Sequence, residues 1–67
     1  MIREHLAQAE RHVSEGERNA TRQRELIARL ERDGCDTGEA RRQLRQLEAR
    51  LALHIEDRDR LRKELGS

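Results

Sequence analysis

A mostly apolar series runs along this chain at alternating spacings of four and three. Ile2, Leu6, Ala9, Val13, Gly16, Ala20, Gln23, Ile27 and Leu30 form its first stretch, and Ala40, Leu44, Leu47, Leu51, His54, Arg58, Leu61 and Leu65 its second. Such spacing keeps one stripe of a 3.6-residue helix facing a single partner, which is the heptad pattern of a helix–helix seam. Leu6, Val13, Ala20 and Ile27 take the a positions of the first stretch, and Leu44, Leu51, Arg58 and Leu65 those of the second. Between seam positions the chain is dominated by Arg, Glu, Gln and Ala, all strong helix formers. The pattern predicts two long helices, about 2–33 and about 37–65, in one domain spanning 1–67.

The break between them is explicit. Arg32-Asp33-Gly34-Cys35-Asp36-Thr37-Gly38-Glu39 offers a stop followed by a start. Gly34 supplies the left-handed residue that closes a helix, with Arg29 and Arg32 complementing its carboxyl end. Asp36 reads as the N-cap of the second helix, and Glu39, three residues on, as the other half of a capping box. A turn of about 34–36 is too short to let the helices separate, so they fold back as an antiparallel hairpin. The expected class is all-α, a coiled-coil-like two-helix hairpin that pairs into a four-helix bundle.

A hairpin turning near Cys35 brings together positions whose numbers sum to roughly 70. Large residues then face small ones along the seam, and Gly16 falls opposite His54. On the e flank, Glu31 faces Arg41, Arg24 faces Glu48 and Glu10 faces Arg62, all opposite in sign. On the g flank, His12 faces Asp57 and His5 faces Glu64. Exposed pairs contribute only about 0.2–1 kcal/mol each, so their effect is chiefly on register and direction.

Composition narrows the function. Of 67 residues 43% are charged and none is aromatic, and Lys and Arg number 15 against 14 Asp and Glu. The near-cancelling charge argues against disorder. Without aromatic rings the stacking platform of single-strand nucleic-acid binders cannot be built. The longest apolar run is Leu51-Ala52-Leu53, which predicts no membrane span and no membrane partner. One cysteine, Cys35 at the hairpin tip, fits a reducing cytoplasm and reads as a plain turn residue. No phosphate loop, paired-cysteine ligand set or catalytic triad spacing occurs, so no enzymatic activity and no cofactor are expected.

Two helices that each bury one narrow stripe gain little beyond the cost of ordering the chain. A second face is therefore expected to be covered by another copy or another helical protein. Ala7, Ser14, Thr21 and Ala28 recur every seven residues on the first helix, and Ala49, Ala52 and Ile55 make a similar patch on the second. This small-residue side is the expected homodimer interface. Gly16, His54 and Arg58 form a polar layer in the seam, of the kind that specifies register and partner number. His12 and His54 are weaker candidates for a metal site, because zinc requires three or four ligands. Arg11, Arg18, Arg22, Arg29 and Arg32, with Arg41, Arg42 and Arg45, make the loop end basic. A nucleic-acid role for that end is an alternative, disfavoured by the interleaved glutamates and a net charge of +1.

The run from His5-Leu6 through Ala9-Glu10-Arg11-His12-Val13, Gly16-Glu17-Arg18, Gln23 and Leu26-Ile27 carries a family resemblance. So do Asp33-Gly34, Asp36-Thr37 and the closing Leu53-His54-Ile55-x-Asp57-Arg58-Asp59-Arg60-Leu61. Over nearly the whole chain it resembles short alphaproteobacterial helical-hairpin proteins that have no assigned function. The resemblance implies a free-standing cytoplasmic protein rather than a fragment, and it brings no catalytic residue, cofactor or activity. The functional expectation is a small structural or protein-interaction module.

Overall fold

The computed structural model describes residues 1–66; Ser67, the last residue of the expected unit, lies outside the described residues. The chain forms two helices, α1 (Ile2–Arg32) and α2 (Gly38–Gly66), packed along each other as an antiparallel hairpin. It is a rod of 51 × 14 × 14 Å.

Both helix ends at the turn follow from local chemistry. The Cys35 N–H donates to the Leu30 carbonyl at 2.8 Å and the Gly34 N–H to that of Glu31 at 3.1 Å. Those two bonds are the Schellman closure, and Gly34 takes the left-handed conformation it requires, with φ of 72°. Asp36 Oδ1 then accepts from the Gly38 N–H at 2.9 Å, satisfying a donor that the first turn of α2 leaves free. The expected capping box does not form, because α2 begins at Gly38 and Thr37, not Asp36, is its N-cap. With the N-cap at Thr37, Glu39 falls at the second helical position, one residue short of where a capping-box carboxylate reaches back, and it pairs with Arg42 at 3.2 Å. The first helical bond of α2 runs from the Arg41 N–H to the Thr37 carbonyl at 2.9 Å.

The core is narrow. Ala9, Val13, Ala20, Ile27 and Ala40 are buried, all of them seam positions. The leucines of α2 at Leu44, Leu47, Leu51 and Leu61 are only half-buried. In the middle of the contact α1 offers Ala9, Gly16 and Ala20, while α2 offers mostly leucines along its seam. Interdigitation brings the helices close but leaves the flanks of the leucines uncovered.

The three expected e-flank ion pairs are all present. Arg24 Nη2 reaches Glu48 Oε2 at 3.1 Å, Arg62 Nη2 reaches Glu10 Oε1 at 3.6 Å, and Arg41 pairs with Glu31. The g flank departs from expectation. His12 meets the ring of His54 rather than Asp57, while Asp57 pairs with Arg60 one turn along its own helix. His5 makes no pair with Glu64 and instead lines a groove with Asp57. A partner three residues away on the same helix is held close by the backbone, whereas a histidine must reach across the seam.

Candidate functional site

The two sides of the hairpin differ. Along the e flank the row of ion pairs closes the line between the helices. On the g flank the line is crossed by the Gln23 side-chain amide, whose Nε2 donates to the Ala40 carbonyl at 3.0 Å and to Gln43 Oε1 at 3.1 Å. Toward the free end of the hairpin this side opens into two adjoining grooves. One, of about 190 Å³, is lined by His12, Gly16, Leu47, Leu51 and His54, with Glu15, Asn19 and Arg50 around its rim. The other, of about 280 Å³, is lined by His5, Gln8, Ala9, His12, Asp57, Arg60 and Leu61. His12 is common to both.

The grooves exist because the seam is thin there. Gly16 contributes no side chain, and Leu51 moves into the space: a Cβ built on Gly16 stands 3.0 Å from Leu51 Cδ1. Gly16, expected opposite His54, thus has Leu51 rather than the imidazole in the space beside it. The ring of His54 leans outward to His12, with centroids 5.0 Å apart and planes tilted by 46°. Arg58 does not complete a polar layer with them. It is half-buried one turn further on, and its guanidinium folds back onto Asp59 Oδ1 at 3.1 Å.

The two imidazoles offer two metal donors, and among the described residues no group of three or more His, Cys, Asp or Glu side chains is placed to hold a metal ion. Zinc sites need three or four. Cys35 is exposed at the tip. At the basic loop end, Arg41 is engaged by Glu31 and by Thr37 Oγ1, and Arg42 by Glu39. Among the described residues no helix is long and apolar enough to cross a membrane.

Of the residues singled out as an interface, Ala7, Ser14, Thr21, Ala28, Ala49 and Ala52 are exposed and Ile55 is half-buried. The helical positions of Ala7, Ser14, Thr21 and Ala28 put them beside the ion-pair row, away from the grooves. Sequence reasoning passed over Asn19 and Arg50 as site residues. Their signal was present: both occupy g positions, in the same row as His12 and Asp57. No family model, no curated protein and no solved structure matches this chain.

Proposed function

We propose that this chain is a small structural or protein-interaction module, working as a homodimer of helical hairpins joined in a four-helix bundle. One observation carries the reading: the single hairpin has an unfinished core. Among the described residues no large side chain is fully buried, and Leu26 and Leu53 are exposed outright, Leu53 by 65%. Burial of a leucine is worth about 1.5–3 kcal/mol, so a partner that covers these flanks gains what the isolated hairpin forgoes. The role is non-enzymatic and cytoplasmic; the single exposed thiol of Cys35 suits a reducing compartment. Sedimentation equilibrium tests the proposal. Twice the chain mass, with a melting temperature that rises with concentration, is the expected result. A monomer with full helicity at all concentrations overturns it.

A further inference from the structure

We infer that the mating face is the grooved g flank rather than the small-residue side, and that its occupant is a second copy of this chain turned end for end. This inference rests on the homodimer reading and assigns the surface and the symmetry axis to it.

Area argues for an occupant of this size. A compact monomer of 7.9 kDa exposes about 4,400 Å², whereas this chain exposes 5310 Å². The surplus of about 900 Å² is close to the roughly 800 Å² that each partner buries in a standard interface. Shape gives the same answer. The radius of gyration is 15.4 Å, against about 11 Å for a compact chain of this length. A second rod of equal length laid alongside roughly halves that excess, because the compact value for the doubled chain rises to about 14 Å while the length of 51 Å is unchanged.

The choice of face follows from where apolar surface remains open. The e flank is already bridged by three ion pairs. The g flank exposes the sides of Leu47, Leu51 and Leu61 in its grooves, and Leu26 lies at a g position on the same flank, 39% exposed. Charge then selects the orientation. Arg50 and Asp57, the latter also paired with Arg60 of its own helix, stand two helical turns apart in one row of α2 and line neighbouring grooves. Turning a second copy end for end sets each Arg50 over the partner's Asp57, twice by symmetry. A twofold axis midway between these residues passes at the level of His54. That level on α1 is Gly16, which has no side chain to hold a second surface away. Helices of the two copies then run antiparallel across the interface, so their dipoles oppose.

A charge-swap series tests the inference. Arg50→Asp sets Asp against the partner's Asp57 at two places and is expected to weaken dimerisation about tenfold or more. Asp57→Arg alone is expected to do the same, and the double variant to restore the wild-type dissociation constant. Arg50 and Asp57 are too far apart on their own helix to pair within one chain, so rescue reports contact between copies. Far-ultraviolet dichroism confirms that each variant keeps its helices. A nitroxide on Asn19→Cys, in a Cys35→Ser background, provides an independent reading: dipolar broadening on dimerisation, and much less from a label on Thr21→Cys. A dimer that ignores the swaps, or that is broken by Thr21→Glu and couples at Thr21, keeps the homodimer and overturns this face. A wild-type monomer overturns both.

Discussion

Gly16 of α1 packs directly on Leu51 of α2, with Leu51 Cδ1 3.0 Å from the place a Cβ would occupy. Two effects compete on substitution. Alanine gains about 1 kcal/mol of helix propensity over glycine, but its methyl displaces the tip of Leu51. Gly16→Ala is therefore expected to change stability by less than about 1 kcal/mol. Gly16→Leu overpacks the layer and is expected to cost about 1–3 kcal/mol, read by urea unfolding. A stabilised Gly16→Leu variant would contradict the close contact.

The Gln23 amide is a cross-helix tie at a seam position, donating to Ala40 and Gln43. Gln23→Ala is expected to cost about 1 kcal/mol, the net worth of a typical hydrogen bond. Gln43→Ala, which removes only the exposed acceptor, is expected to stay within about 0.5 kcal/mol. Equal effects from the two variants would show that the bond to the Ala40 carbonyl contributes nothing.

At the turn, Gly34 has φ of 72° and open space around its Cα. Any penalty for Gly34→Ala is thus one of backbone conformation, about 1–2 kcal/mol, and Gly34→Asn is expected to cost less. Asp36→Ala removes the cap on the Gly38 N–H and is expected to cost about 0.5–2 kcal/mol. Glu39→Gln is expected to be close to neutral, because Glu39 spends its carboxylate on an exposed pair. Thermal melts of the three sites separate these roles.

His54 is a polar residue at a position where leucine would bury more apolar surface. His54→Leu is expected to raise the melting temperature while broadening the distribution of oligomers, because a polar seam residue restricts partner number at some cost in stability. Sedimentation velocity reads the distribution. A variant that loses stability and stays uniform would show that the contact between His12 and His54 is itself stabilising.

Much of the hairpin was legible in the residues themselves. The alternating spacing fixes which stripe of each helix faces inward, because helical geometry admits one periodicity. Gly34 sets the turn, since a left-handed residue has few alternatives to glycine. The e-flank pairs were equally readable: opposite charges recurring at matched positions have one antiparallel register that satisfies them all. Local chemistry was read less well at the start of α2, which begins at Gly38, one residue later than an Asp36–Glu39 capping box requires.

Only the tertiary structure could decide how the seam closes in depth. Spacing gives the direction in which Gly16, Leu51 and His54 point but not which side chain fills a vacancy, because that depends on rotamers and helix separation together. Leu51 entered the space beside Gly16, His54 turned toward His12, and the groove opened on the g flank. The small residues of α1 carried the sequence signal for an interface, and the structure places them exposed beside the ion-pair row. Composition marks where a surface is smooth; the packed pair of helices determines where it is incomplete.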